Sequence, residues 1–375
     1  MSSAAPRPSS TSPNHAWLMV HCKIRGRVRL FQATRTFSKL VATITCRGTK
    51  TRAVQMLAMK FKDLSRYWML PFLLIVFGTL TLVMRGSPFA KVFPYYHSFI
   101  QIFTLITLER VYSYSKRVSQ RHMIWRDLMS TAVQTFMAGA VLGAIVLPVL
   151  HYFPNTFLGR RFLFGLSGQL GPVWLQVVMV YLLNSCFQYW IHRWEHTNAF
   201  MWKLHSYHHS VTHLQISNVL VSNPFEWALR NVLGGLLLGI VGFNPVAIVL
   251  AGAFNPYGDF SHCGADMRGG WLNYVFNTPE VHRWHHSVKF PDDPKFRYGC
   301  NYGVGVSFWD IVFGTFYMPK DEKGNVLAPP ALGHPEGYPD EPNYIKILLG
   351  ARAFPALERW LSRRPKDDIS AVPAE

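Results

Sequence analysis

Long apolar stretches separated by short basic ones constrain the fold of this chain most. A helix that crosses a bilayer needs about 20 apolar residues. Four stretches come close to that or exceed it: residues 68–84, 93–109, 129–152 and 172–191. Charged residues make up 15% of the chain, against about 25% in typical soluble domains. The pattern predicts an all-α, multi-span integral membrane protein with about four transmembrane helices.

A fifth apolar stretch, residues 231–254, is interrupted by Asn244-Pro245. Proline breaks a helix, and each half of the stretch is too short to cross a bilayer alone. We therefore expect a re-entrant or hairpin segment, with a single kinked span as the alternative. If the segment returns to the side it entered from, everything after residue 192 lies on one side of the membrane.

The net charge of +18 is concentrated in residues 1–67. This segment is interpreted as a basic flank on the cytoplasmic side of the first span, or as a targeting segment. A third interpretation is that translation starts near Met56 or Met59 and that the upstream part is spurious. Nothing in the chain is typical of a nucleic-acid-binding fold, so we expect no nucleic acid partner.

Four regions follow from these patterns. They are a basic N-terminal extension (1–67), transmembrane helices (68–191), a histidine-rich catalytic domain that includes the membrane hairpin 231–254 (192–319) and a polar C-terminal tail (320–375). With a cytoplasmic N-terminus, four crossings place the histidine-rich domain as a helical cap on the cytosolic face. A multi-pass protein of this kind belongs in the bacterial inner membrane or the endoplasmic reticulum.

Three histidine motifs lie in the predicted cap: "HRWEH" at 192–196, "HSYHH" at 205–209 and "HRWHH" at 282–286. Residues i, i+3 and i+4 share one face of a helix, so each motif is expected to aim its rings in one direction. Neutral imidazole is a good ligand for iron, zinc and copper. Eight ligands exceed what one ion takes, which favours two metal ions with four or five ligands each. The predicted ligands are His192, His196, His205, His208, His209, His282, His285 and His286.

The motifs, in this order, resemble those of the membrane-bound fatty acid hydroxylase/sterol desaturase superfamily. "NTPEVHRWHH" (277–286) and "NYGVGVSFWDIVFGTFYMP" (301–319) are similar to further segments of that family, so the resemblance covers about 170–319. It implies a non-haem di-iron site that uses O2 to oxidise an unactivated C–H bond of a lipid. It also implies a ninth ligand, His262. The sequence departs from the family at Asp266 and Asn223, where some members have histidine.

Hydroxylation of the lipid is the expected reaction, and no catalytic residue distinct from the metal ligands is expected. Desaturation or demethylating oxidation at the same site, and a non-catalytic zinc-binding membrane protein, are the alternatives. The chain has no haem motif, Gly-x-Gly-x-x-Gly or Cys-x-x-Cys. The two electrons are therefore expected from a partner such as a cytochrome b5-like protein or a ferredoxin. Residues expected to support the ligands are Glu195, His213, Asp259, Asp266, Asn301, Tyr302 and Asp310.

Overall fold

The computed structural model describes residues 64–79, 93–114, 121–152, 170–253, 260–334 and 354–362. The chain divides into two compact units, residues 1–65 and 66–375. Nearly all of the first unit, and with it the predicted N-terminal extension, lies outside the described residues. The described residues from Arg66 onwards belong to the second unit.

Helices hold most of the residues described before residue 254. They are α1 (Leu64–Thr79), α2 (Phe93–Val111), α3 (Arg121–Val141), which continues through a π-helical turn (Leu142–Val146) into α4 (Leu147–Tyr152), α5 (Val173–Thr197), α7 (Pro224–Val241) and α8 (Pro245–Ala253). Among the described residues the β-pairing is limited to isolated bridges. The all-α prediction is confirmed.

One helical segment in the described part of the chain, Trp125–Ile145, is long and apolar enough to cross a membrane, and Leu64–Thr79 is apolar but shorter. The helices over the other predicted spans, α2 and α5, do not meet that measure. The multi-span topology therefore stays a prediction.

The break predicted at Asn244-Pro245 is confirmed, because α7 ends at Val241 and α8 begins at Pro245. Gly242 closes α7 with φ of 75°, a backbone conformation that glycine adopts without a steric cost. The Gln176 side chain of α5 accepts a hydrogen bond from the backbone N–H of Asn244 at 2.9 Å. Apolar side chains of α5, α7 and α8 pack into one cluster around Val180 and Leu238. Both arms of the hairpin thus lie against α5.

The predicted cap consists of short helices and turns rather than long helices. These are α6 (Ala199–His205), α9 (Pro279–His285) and α10 (Phe308–Val312), with 3-10 turns at His208–Ser210, Ile216–Asn218, Phe260–His262, Gly270–Tyr274 and Pro294–Phe296. A further short helix, α11 (Pro355–Ser362), lies in the C-terminal tail. Because α5 continues without a break past residue 191, the predicted end of a span, it carries the first histidine motif on its last turns.

Candidate metal centre

Each histidine motif is placed by a helix end. His192 and His196 lie on the last two turns of α5. The second motif begins on the last residue of α6 and continues into the 3-10 turn His208–Ser210. The third occupies α9, with His286 as its C-cap residue. Thr278 starts α9 by accepting a hydrogen bond from the backbone N–H of Val281, so the cap fixes where the third motif begins.

The nine predicted histidines come together in two adjoining clusters. Within each cluster the potential ligand atoms lie within 4.8 Å of one another. The rings of His209 and His286, one from each cluster, stack with their centroids 4.4 Å apart. The first cluster is His192, His196, His205, His209 and His285, and the second is His208, His262, His282 and His286.

Each of the two His-x-x-His-His motifs contributes histidines to both clusters, and it does so in the same pattern. The first and last histidine of a motif, at i and i+4, always share a cluster, whereas the histidine at i+3 belongs to the other one. On α9, which carries the third motif, each residue turns the helix by about 100°, so i+4 lies about 40° from i, and i+3 lies about 100° from i+4. The expectation that all rings of a motif aim in one direction is therefore wrong for His208 and His285.

Six of the nine rings direct Nδ1 outwards at an oxygen acceptor, at distances of 2.7–3.0 Å. Four of these acceptors are backbone carbonyls, and the other two are the Glu226 carboxylate and the Asn218 amide oxygen. A proton on Nδ1 leaves Nε2 with its lone pair, so these contacts determine the tautomer. The pairs are His192–Tyr302, His196–Tyr298, His205–Glu226, His208–Val221, His262–Asn218 and His285–Cys300.

The inward-facing nitrogens fit a cation better than they fit one another. Nε2 of His192 lies 3.2 Å from Nε2 of His205, and both rings present lone pairs there. Nε2 atoms of His262, His282, His285 and His286 are buried without a hydrogen-bond partner. Buried polar atoms without partners are costly, and two facing lone pairs repel. A metal ion in each cluster would give the buried nitrogens a partner and would remove the repulsion between the facing lone pairs. The donor set therefore fits two metals.

Burial keeps the imidazoles in the neutral form that binds metal. It lowers the pKa of His205 to about 3 and that of His208 to about 4, and the pKa values of the other seven also fall well below the usual range. At neutral pH the rings therefore have no proton that a metal would need to displace.

A buried ionic network lies behind the first cluster. Oε1 of Glu226 is 2.9 Å from Nδ1 of His205, and the Glu195 carboxylate is 3.5 Å from the same nitrogen. The Arg230 guanidinium pairs with both carboxylates. Burial raises the pKa of Glu226 and lowers that of Arg230, and the guanidinium favours the ionised carboxylate. The pKa of Glu226 is raised to about 8, so this carboxyl is largely protonated at neutral pH, and a cation at His205 would favour its ionised form.

Comparison with known proteins places this centre in a family. Residues 177–315 match the family model described as fatty acid hydroxylase, and the match contains all nine histidines. Over this region the chain is similar to the fatty acid hydroxylase family. The resemblance seen in the sequence is thus confirmed.

Proteins similar to this region carry the names of several lipid-modifying enzymes. They include an ornithine lipid hydroxylase of Rhizobium tropici, 32% identical over 40% of this chain and 44% of its own length. A sphinganine C4-monooxygenase of Arabidopsis thaliana is 31% identical over 41% and 60%. A human alkylglycerol monooxygenase is 28% identical over 36% and 29%. The matches thus span between 29% and 60% of the length of these relatives. No solved structure matches the chain.

Asn301, Tyr302 and Asp310, which were predicted to support the ligands, hold segments beside the histidine clusters through hydrogen bonds. Asn301 has a φ of 56°. Its side chain donates to the backbone carbonyls of Val281 and Tyr317 and so connects α9 with the segment that follows α10. The Asp310 carboxylate accepts from the backbone N–H groups of Tyr302 and Gly303, each at 2.7 Å. Burial raises the pKa of Asp310 to about 6, so it remains largely ionised at neutral pH.

Replacing Asp310 with alanine is expected to destabilise the protein by roughly 2–6 kcal/mol, because two buried N–H groups lose their acceptor at about 1–3 kcal/mol each. The Tyr302 carbonyl that holds His192 would lose its anchor at the same time. Thermal unfolding of the detergent-solubilised chain measures the effect. Asp292→Ala, at an exposed position, is the control. Equal melting temperatures for the two variants would contradict the bracing role.

The other predicted supporting residues have different places. Asp266 forms ion pairs with Arg66 and Arg268, and Asp259 lies outside the described residues. The backbone carbonyl of His213 accepts a hydrogen bond from the Asn218 amide, whose oxygen contacts Nδ1 of His262 in the second cluster. Asn223, excluded from the ligands, caps α7.

Three supporting side chains escaped the sequence analysis: Glu226, Asn218 and Asn277, whose amide is 3.2 Å from Nδ1 of His282. Of these, only Glu226 stands in a sequence pattern that could have indicated a supporting role. It is an acid at the start of an apolar helix, four residues before an arginine. A single asparagine in a turn carries no comparable pattern, so Asn218 could be found only from the structure.

Proposed function

We propose that the chain is a membrane-bound oxygenase that hydroxylates a C–H bond of a lipid. Two iron ions, one held by each histidine cluster, would supply the activation of O2. The observation that carries the proposal is the pair of buried clusters with their nitrogens directed inwards, within a fatty acid hydroxylase region. The relatives' names, which pair lipids with hydroxylases and monooxygenases, support the same reaction class.

The reaction requires two electrons and two protons from outside the lipid. One oxygen atom of O2 enters the C–H bond to give an alcohol, and the other leaves as water. Because the nine histidines, the carboxylates and the amides of the site are not redox-active, the electrons come from a partner, a cytochrome b5-like protein or a ferredoxin. The chain's own residues orient the ligand rings through Nδ1 and exclude water from the buried clusters.

The distribution of side chains on α2 and α3 supports a location in the membrane. Phe99 and Phe136 are 70% and 75% exposed, whereas Gln101 and Gln134 on the same helices are buried. An apolar exterior around a polar interior suits a lipid environment. We propose a multi-pass protein of the bacterial inner membrane or the endoplasmic reticulum, with the metal centre on the cytosolic face.

The proposal is tested by supplying the purified, iron-loaded chain with a membrane lipid extract, isotopically heavy O2 and a reduced electron donor. Mass spectrometry is expected to show a lipid that gains one oxygen atom derived from O2. A product that instead loses two hydrogens would indicate desaturation. Purification with zinc alone, and no oxidised lipid after iron loading, would refute the oxygenase.

A further inference from the structure

A cavity of about 190 Å³ lies beside both histidine clusters, between α5 and α7. His192 and His205 of the first cluster line it, as do His208, His262 and His282 of the second. Sites for whole small molecules are about 300–1,000 Å³. The cavity therefore accommodates only a short part of a lipid, the part next to the carbon that is oxidised.

The lining of the cavity is more polar than an alkyl chain requires. Some of its polar groups are already bound within the protein: Glu226 and Arg230 pair with each other, and Ser222 accepts a hydrogen bond from Gln134. Gln188 is different. It is half-buried, it faces the cavity one helical turn before His192, and its amide has no hydrogen-bond partner among the described residues.

Gln188 belongs to a stripe of amides on α5. Asn184, Gln188 and His192 are spaced i, i+4 and i+8, so they share one face of the helix. The Asn184 amide also has no partner within the described part of the chain. Both amides lie in the stretch 172–191, where an unsatisfied polar group is expensive and usually serves a function.

The opposite helix leaves room for this stripe. Gly234 of α7 faces it, and a Cβ atom placed there would lie 3.4 Å from Oδ1 of Asn184 and 3.7 Å from Nε2 of Gln188. A larger side chain at this position would cover the amides. The glycine therefore keeps a polar approach open from the apolar part of the protein to the metal centre.

We propose that Gln188 determines substrate class: it binds a hydroxyl or amide group that the lipid carries close to the oxidised carbon. The amide can both donate to and accept from such a group, which an unmodified hydrocarbon lacks. The inference rests on the proposed function and restricts it to chains that carry a hydrogen-bonding group near the reacting position. Asn184 binds the same group on its way into the cavity.

Equilibrium binding of two radiolabelled probes to the full chain in nanodiscs tests this inference. The probes are N-hexadecanoylethanolamine, which has an amide and a hydroxyl, and hexadecane, which has neither. Gln188→Met keeps the length of the side chain and removes the amide, and Leu182→Met, at an exposed position of α5, is the control. Gln188→Met is expected to weaken binding of the amide probe about tenfold, the loss of one or two hydrogen bonds, and to leave hexadecane binding unchanged.

An equal change for both probes, or none for the amide probe, would overturn the inference, provided that metal content shows the variant to be folded. Asn184→Leu gives an independent check, with a smaller loss of amide binding expected. Because binding is measured without O2 or reductant, the result does not depend on turnover. Gln188-dependent binding without any oxidised product would refute the proposed function and leave this inference intact.

Discussion

Replacing His285 with alanine is expected to abolish lipid oxidation and to lower the metal content from about two ions per chain towards one. His285 is the one ligand that α9 contributes to the first cluster, while its neighbour His286 serves the second. Its Nδ1 is held by the Cys300 carbonyl at 2.9 Å, and its Nε2 is buried without a partner, so the ring is positioned to bind a metal. Loss of a group that merely orients a ligand costs about 10–100-fold in affinity or activity, and loss of a ligand should cost more.

Metal analysis of the purified variant and mass spectrometry of lipids from cells that express it measure the two effects. His334→Ala is the matched control, since His334 stacks on Trp202 and belongs to neither cluster. The control is expected to keep both metals and the oxidised lipid. An active His285→Ala enzyme with two metals would remove this histidine from the centre.

Replacing Glu226 with glutamine is expected to weaken metal binding at the first cluster by about 10–100-fold and to spare the second. Glutamine retains an oxygen for Nδ1 of His205 but removes the negative charge, and its NH2 group cannot pair with Arg230. The prediction rests on an asymmetry among the described residues: the Nδ1 atoms of the first cluster contact one carboxylate and three backbone carbonyls, whereas those of the second contact a carbonyl and amide groups.

Anaerobic titration of the metal-free protein with ferrous iron separates the two sites. Wild-type protein should bind two ions, and Glu226→Gln should show one binding step shifted to weaker affinity. Asn218→Ala, which removes the acceptor from His262, is expected to shift the other step. If both variants weaken the same step, the assignment of one metal to each cluster is wrong.

Much of the site was predictable because its chemistry depends on residue type and local spacing. Eight histidines in three motifs indicated two metals, and the resemblance to a family added His262. The hairpin break at Asn244-Pro245 was equally predictable, because proline restricts the backbone locally. By contrast, no local pattern indicated that Trp284 is buried and donates to the Leu327 carbonyl at 2.8 Å. Its neighbours in the fold, not its neighbours in sequence, decide its burial.

The sequence by itself predicted eight of the histidines as one ligand set, because metal-binding chemistry depends on residue type and local spacing. Only the tertiary structure decided where the ring at i+3 goes. His208 lies in the second cluster and His285 in the first, because the ends of α6 and α9 meet at the boundary between the two sites. The carbonyl and carboxylate partners of Nδ1 were likewise decided by the fold, since they come from segments 13 to 110 residues away for His192, His205 and His208. Contacts over such distances depend on packing, which no local pattern records.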